Sequence, residues 1–278
     1  MRGSLKWDNL VKSLRDIGLN SGDTVFVQSR LFSFGLPEGI TNKDDILDFH
    51  YSAFWEVLGP EGTLSVLSSF EDYGRYGTPY ILEDSPSLSG VFSEHVRTRP
   101  GSIRSMHPIM SVTSVGKNAF EISGGPHYEG LGYDSPWGKL LEMNAKLMVY
   151  GGRFRDGMTF FHFLENLYGV PYTYTKIYNI PVISHGIELT GPFTMAVRYL
   201  DFGIENDAIP LEEKLLSEGL GIESPVGRTT ISLTDCNSVI KSGFEALREN
   251  RYFFLKNIPK FREGEIPSDG PTGPIRKL

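Results

Sequence analysis

A histidine and a glutamate lie three residues apart in the segment TFFHFLE. Thr159, His162 and Glu165 recur at every third position, so in a helix they would lie near one face. An imidazole beside a carboxylate can accept a proton near neutral pH, because the acid orients the ring and stabilises its charged form. A helix histidine that is merely hydrogen-bonded in the core fits the same spacing. The motif alone is therefore weak evidence for a catalytic base.

Two further segments carry polar groups in suggestive settings. His107, in RSMHPIMSV, precedes a proline where a loop meets a strand, and it could be catalytic, contact a ligand or cap the strand. The loop in QSRLFSFGLPEG offers Ser29, Arg30, Ser33 and the backbone around Gly35 ahead of a helix, which suits phosphate groups. An ordinary connection between a strand and a helix accounts for this loop equally well.

Several reaction classes have no local motif in the chain. The sequence contains no G-x-x-x-x-G-K-[ST], no G-x-G-x-x-G that opens a helix, no H-E-x-x-H and no G-x-S-x-G. Cys236 is the one cysteine, so it can form neither an internal disulfide nor a metal-binding pair. Local motifs therefore give no support to nucleotide hydrolysis, to zinc hydrolysis or to α/β-hydrolase chemistry.

Composition indicates a cytoplasmic protein that binds small molecules. The formal net charge of −7 disfavours nucleic acid, whose phosphates need clustered Lys and Arg. No stretch approaches the ~20 apolar residues of a membrane span, and the N-terminus lacks the apolar segment of a signal peptide. We expect no nucleic acid, membrane or metal partner, and a monomer or homodimer.

The order of the predicted elements indicates an α/β architecture. The first 70 residues show apolar periodicities typical of helix, strand, helix and strand in turn, with Thr41 as the N-cap of the second helix. A long loop with a short helix follows over 71–104. Residues 171–201 alternate as an antiparallel meander, and YFFL (252–255) is predicted to be a short strand. We expect one domain over 1–262 and a polar tail over 263–278.

Five blocks of the sequence resemble the aminoglycoside 3-N-acetyltransferase family, also called the antibiotic N-acetyltransferase fold. The blocks are GDTVFVQSRLFSFG, LGPEGTLSVLSSF, DSPSLSGVFSEHVRTRPGSIRSMHPIMSV, YDSPWGKLLEMNAKLMVYGG and TFFHFLE. The third is the most specific, with SPS-x-x-G, R-x-x-PG and RS-x-HP in the family's order. The resemblance runs from about Leu5 to Leu255.

The resemblance implies a three-layer α/β fold around a mixed sheet and an acyl-CoA co-substrate, either acetyl-CoA or 3-hydroxybutyryl-CoA. It places the donor along the loop after the first strand and along the RSMHP segment. The residues expected to line that site are Gln28, Ser29, Arg30, Leu31, Ser33, Phe34, Gly35, Arg104, Ser105, His107 and Pro108.

The resemblance also implies direct transfer of the acyl group to a sugar amine. His162 matches the family's general base, with Thr159 and Glu165 beside it. An assisting acid is expected after the meander. The candidates, first choice first, are Asp201, Glu205 and Asp207.

Departures from the family pattern bear on the acceptor. The first-strand signature reads QSRL where the family has HSSL, and LSSF stands where the family has PTF. Arg30, Arg75, Arg153 and Arg155 lie in or beside the expected cleft loops, where they would suit a diphosphate. The sequence thus favours an N-acyltransferase acting on a nucleotide-linked amino sugar of the dTDP-3-amino-3,6-dideoxyhexose type, in surface-polysaccharide (lipopolysaccharide) synthesis.

Two alternatives stay open from the sequence. One is an aminoglycoside 3-N-acetyltransferase, an antibiotic-resistance enzyme, which would take a polycationic acceptor. The other is a non-catalytic protein that binds CoA or a sugar, because a fold alone does not fix an activity. The retained Thr159, His162 and Glu165 favour an enzyme, since a binding module needs no base.

Overall fold

Helices flank both faces of a seven-stranded mixed sheet. The computed structural model describes residues 5–199 and 202–260. The helices are α1 (Trp7–Asp16), α2 (Lys43–Leu58), α3 (Asp72–Tyr76), α4 (Val91–Arg97), α5 (Ala119–Ser123), α6 (Pro136–Glu142), α7 (Phe160–Tyr168), α8 (Ile209–Ser217) and α9 (Cys236–Glu249), with 3-10 helices at Leu31–Phe34 and Phe154–Asp156. The strands are β1 (Thr24–Ser29), β2 (Thr63–Leu67), β3 (Tyr80–Ile81), β4 (Ile103–Arg104), β5 (Val112–Gly116), β6 (Lys146–Tyr150), β7 (Thr173–Tyr178), β8 (Val182–Ser184), β9 (Ile187–Glu188), β10 (Phe193–Arg198), β11 (Ile222–Val226) and β12 (Thr229–Asp235).

The centre of the sheet is parallel and its flanks are antiparallel. The strand order is β11-β12-β6-β1-β2-β5-β4. β1 pairs in parallel with both β2 and β6, whereas β5 and β12 run antiparallel to their inner neighbours. The carboxyl ends of β1, β2 and β6 therefore meet at one edge. In open α/β sheets this edge, where the connections diverge from a central strand, is where ligands bind.

The alternation of side chains along β1 separates two cores. Val25 and Val27 pack with α1, α2 and α4 on one face of the sheet. Phe26 points to the other face, into a cluster built largely from α6, α7, α8 and α9. A third apolar cluster joins β3 to the meander, which forms a β10-β7 pair and a β3-β8-β9 sheet. The three-layer mixed α/β architecture predicted from the sequence is confirmed.

A glycine lets the loop after β1 lie against the end of β6. Gly151 has a φ of +96°. A Cβ at this position would lie 2.6 Å from the Ser33 Oγ and 2.7 Å from the Arg30 carbonyl oxygen, closer than van der Waals contact allows. The close approach permits the Ser33 hydroxyl to donate a hydrogen bond to the Gly151 carbonyl at 2.7 Å. This hydrogen bond joins the loop after β1 to the loop after β6.

Some local predictions need correction. The N-cap of α2 is Asn42, not Thr41, because the Asn42 side chain accepts the Asp44 N–H at 2.8 Å. YFFL forms turns rather than a strand, although Phe254 is fully buried. The long loop contains α3 and β3 in addition to the expected helix. The predicted tail (263–278) lies outside the described residues, and the boundary at 262 stays a prediction.

None of the helices among the described residues is both long enough and apolar enough to cross a membrane.

Candidate active site

The start of helix α7 lies next to the end of β1 in the folded chain. The Gln28 side chain accepts the Thr159 backbone N–H at 2.6 Å, and its amide group donates to the Thr159 hydroxyl. This contact satisfies one of the backbone donors that a helix start leaves unpaired. Gly169, in the left-handed region at φ +76°, ends the helix. Gln28 and Thr159 thus join α7 to the carboxyl edge of the sheet, and neither side chain contacts His162 in the hydrogen-bond network.

His162 and Glu165 form the pair that the spacing predicts. The His162 Nδ1 lies 2.8 Å from the Glu165 Oε2. A carboxylate can only accept a hydrogen bond, so Nδ1 carries the hydrogen and Nε2 keeps its lone pair. The Glu165 side chain is 4% exposed and the His162 side chain is 36% exposed. The acid is buried while the basic nitrogen belongs to a ring that solvent and ligands can reach.

A tyrosine holds the other side of the same carboxylate. The Tyr172 hydroxyl donates to the Glu165 Oε1 at 2.7 Å. Burial, followed by the nearby Glu165 carboxylate, raises the pKa of Tyr172 far above its ordinary value. The raised pKa favours the protonated phenol, which is the form that donates to the carboxylate.

A second carboxylate, that of Glu129, contacts the residue one helical turn from His162. Within 160–166 the residues that are not buried are His162 and Asn166, which are four apart on one face of α7. The Asn166 amide donates to the Leu131 carbonyl at 2.8 Å and contacts the Glu129 Oε1 at 3.4 Å. Glu129 is exposed, and its carboxyl group packs on Gly132, where a Cβ would lie 2.3 Å from Oε2. No sequence signal marked Glu129 as a site residue.

The loop after β1 is partly a structural element. Leu31 and Phe34 are buried in the core. Arg30 is exposed and forms an ion pair with Asp156 at 2.9 Å. Ser29 and Ser33 are half-buried. Gly35 packs on Arg228, whose guanidinium carbon would lie 3.6 Å from a Cβ at position 35.

Three of the five residues of the RSMHP segment are buried, namely Ser105, His107 and Pro108. His107 is fully buried, with Nε2 2.9 Å from the Thr194 carbonyl oxygen and Nδ1 accepting the Met110 N–H. Burial lowers the pKa of His107 to about 4. The hydroxyl of Ser105 accepts the Val112 N–H, and the Pro108 carbonyl accepts the Phe70 N–H. The segment holds the strand ends together.

Arg104 is likewise structural in this arrangement. Its guanidinium donates to the Ser68 carbonyl at 2.5 Å and to the Ser85 carbonyl, and it stacks over the Tyr80 ring at 4.9 Å. Burial lowers the pKa of Arg104. The contacts with carbonyl oxygens cap the loop that follows β2.

Among the described residues, Glu205 and Asp207 have hydrogen-bond or ion-pair partners other than His162. Asp201 lies outside the described residues. Glu205 pairs with Lys256 at 2.8 Å, and Asp207 accepts the Ile209 N–H at the start of α8. The carboxylates that the structure brings to His162 and its face of α7 are Glu165 and Glu129.

Each arginine assigned to a diphosphate is engaged by a carboxylate. The ion pairs are Arg30 with Asp156, Arg75 with Glu71, Arg153 with Glu223, and Arg155 with Glu212. The strongest of them is Arg155, whose Nε donates at 2.7 Å to a Glu212 side chain that is 1% exposed. The negative charge of these acids offsets the positive charge on which the electrostatic argument for a nucleotide-linked acceptor rested. Over residues 5–199 and 202–260 no group of three or more His, Cys, Asp or Glu could hold a metal ion.

A family model for aminoglycoside 3-N-acetyltransferase matches residues 27–248. The chain belongs to that family. It is similar to aminoglycoside N(3)-acetyltransferase VII of Streptomyces paromomycinus, with 27% identity over 66% of this chain and 68% of the relative. It is also similar to aminoglycoside N(3)-acetyltransferase VIII of Streptomyces fradiae, with 23% identity over 87% and 92% of the two chains. Among solved structures, AAC-IIIb in a binary complex with CoASH has the same fold, with a TM-score of 0.76, 23% identity, and coverage of 92% of this chain and 100% of that chain.

These comparisons confirm the family, the fold and the class of enzyme, a CoA-dependent N-acyltransferase. They contradict the main functional prediction. The family and the curated relatives are aminoglycoside N(3)-acetyltransferases, so acylation of a nucleotide-linked amino sugar in surface-polysaccharide synthesis is wrong. The findings support the alternative that the sequence had left open.

Replacing His162 with alanine should remove the base. It also removes one of the two hydrogen bonds to the buried Glu165 carboxylate, so some stability should be lost as well. We expect kcat for acyl transfer to fall by at least about 100-fold, the lower end of what general-base catalysis contributes. The measurement is CoA-thiol release with thermal unfolding as the check on folding. His185→Ala is the matched control, since that ring is 85% exposed beside Glu83. Equal activity of the two variants would contradict the assignment.

Proposed function

We propose that this chain is an aminoglycoside 3-N-acetyltransferase that transfers the acetyl group of acetyl-CoA directly to an amine of the antibiotic. The observation that carries the proposal is the His162–Glu165 pair. It presents an oriented imidazole from α7 at the carboxyl edge of the sheet, in a chain of this family.

The base solves the central chemical problem of the reaction. A protonated sugar amine has no lone pair and cannot attack a thioester. The ammonium group first loses one proton to solvent. His162 Nε2 then takes a second proton from the nitrogen as it attacks the acetyl carbonyl, and the C–S bond breaks as the CoA thiolate leaves. Glu165 stabilises the imidazolium that forms, and that proton can then neutralise the thiolate. No covalent enzyme intermediate is required, in keeping with the absent nucleophile motif.

The acyl-CoA donor would lie along the loop after β1 and in the cavity beside it. A cavity of about 360 Å³ adjoins the loop after β1 and has mainly apolar walls, which suit a pantetheine arm. It is lined by Leu31, Phe32, Gly35, Leu36, Thr41, Lys43, Ile46, Leu47 and Val91. Lys43 on the cavity wall and Arg228 beside Gly35 supply positive charge for the CoA phosphates. Sequence reasoning had not selected either residue.

The acceptor side favours a cation. Glu129 is an exposed carboxylate that contacts Asn166, the residue one turn along α7 from His162, while the nearby arginines are paired with acids. Aminoglycosides carry several ammonium groups, and a carboxylate can hold one of them while a neighbouring amine reaches His162. A cytoplasmic location, where acetyl-CoA is made, and a monomeric or homodimeric state stay predictions.

The acceptor class can be tested with a matrix of two donors and two acceptors. Acetyl-CoA and 3-hydroxybutyryl-CoA are each offered with a gentamicin-type aminoglycoside and with a dTDP-amino sugar, and CoA-thiol release is followed. We expect release that requires the aminoglycoside and is fastest with acetyl-CoA. The His162→Ala variant measures the background. Thiol release that proceeds without any amine would indicate a hydrolase and contradict the proposal.

Glu129→Gln keeps the shape of the side chain and removes its charge. We expect the KM for the aminoglycoside to rise about 10-fold while kcat changes little. The reason is that the variant loses a charge-assisted hydrogen bond to the bound ammonium, and it loses it equally in the substrate complex and in the transition state. Glu121→Gln removes an exposed carboxylate from α5 and serves as the control. An unchanged KM in Glu129→Gln would exclude this carboxylate from acceptor binding.

A further inference from the structure

Tyr172 contributes a buried hydroxyl to the active-site network without reaching the site itself. Its side chain is fully buried in the segment between α7 and β7. Its ring packs near Tyr252, with centroids 6.2 Å apart, and its backbone carbonyl accepts the Tyr199 N–H. The hydroxyl is 2.7 Å from the Glu165 Oε1. The meander segment and α7 are thereby coupled through one hydrogen bond.

We propose that Tyr172 is a positioning residue for the catalytic base. Its hydroxyl fixes the Glu165 carboxylate, and through it the orientation of the His162 imidazole and the affinity of the pair for its proton. The inference rests on His162 acting as the base.

The two carboxylate oxygens have separate partners. Oε2 accepts from the His162 Nδ1 at 2.8 Å and Oε1 accepts from Tyr172 at 2.7 Å. With both oxygens bonded, rotation of the carboxyl group would break a hydrogen bond in a nearly water-free environment, which is costly. The carboxylate is therefore held in the orientation that directs the His162 Nε2 lone pair away from the acid.

The same hydrogen bond sets how tightly His162 and Glu165 together hold their first proton. A donor to the carboxylate withdraws negative charge from it and weakens its attraction for the imidazolium. Without the hydroxyl, the buried carboxylate carries its charge with one fewer donor, so the pair retains a proton to higher pH whether that proton resides on nitrogen or oxygen. The other titratable groups that the contacts place nearby are Glu129 across Asn166 and Tyr252 beside Tyr172.

The test is the pH dependence of kcat/KM in Tyr172→Phe, which keeps the aromatic ring. We expect the acid limb of the profile to move to higher pH by about one unit, the size expected when a hydrogen bond to a charged group is lost. The acceptor amine ionises identically in every variant, so the difference between profiles reports on the enzyme. Tyr168→Phe is the matched control, since that hydroxyl, also on the α7 side, donates to the Leu247 carbonyl at 3.0 Å and not to the carboxylate.

A second variant keeps the proposal testable if Tyr172→Phe fails to fold. Site-specific 3-fluorotyrosine at position 172 makes the hydroxyl a better donor, so the acid limb should move to lower pH. Limbs that stay in place in both variants, or move equally in Tyr168→Phe, would overturn the positioning role. A wild-type profile without an acid limb that depends on His162 would instead refute the base assignment on which the inference rests.

Discussion

The candidate active site depends on one buried carboxylate. Glu165 is almost completely removed from water, and a charge in that position is tolerated only when its oxygens are hydrogen-bonded. His162 donates one hydrogen bond and Tyr172 the other, so Glu165, His162 and the segment after α7 must keep their relative positions. The Gln28–Thr159 contact then holds this helix against the end of β1. A single constraint thus connects the sheet edge, the base and the meander.

Charge is distributed so that the cations near the site are largely neutralised and a carboxylate is left exposed. The arginines around the 3-10 helix at Phe154–Asp156 form ion pairs with Asp156, Glu212 and Glu223. The Arg104 guanidinium donates hydrogen bonds to backbone carbonyls. Glu129, by contrast, faces solvent beside α7. An exposed carboxylate at this position would favour a cationic acceptor over an anionic one. Under the proposed function, specificity for the acceptor would depend on ion pairs that form only on folding.

The sequence predicted the parts of this structure that depend on short-range pattern. The apolar periodicities located most of the major helices and strands, and the i, i+3 spacing of His162 and Glu165 gave their contact directly. The family resemblance supplied the layered fold. YFFL was mistaken for a strand because an apolar run has the same composition whether it pairs with a neighbour or fills a core as turns. The N-cap of α2 was displaced by one residue, since Thr41 and Asn42 are both good caps.

The rest could not be predicted because it depends on contacts between distant segments. Glu212 is 57 residues from Arg155, and no local pattern predicts their contact. The sequence therefore could not show that the charge of this arginine is offset. His107 lies in a motif-like segment, yet the chain folds it into the interior against Thr194. Glu129 contacts Asn166 and Tyr172 contacts Glu165, and neither of the two lies in a recognisable motif.

The most direct test of the account is the chemical structure of the product. A gentamicin-type aminoglycoside is incubated with acetyl-CoA and the purified protein, and the isolated product is characterised by mass spectrometry and NMR. The account predicts a single acetyl group, attached through an amide to the 3-amine. Acetylation of a hydroxyl or of a different amine, or recovery of the unmodified antibiotic together with intact acetyl-CoA, would contradict it.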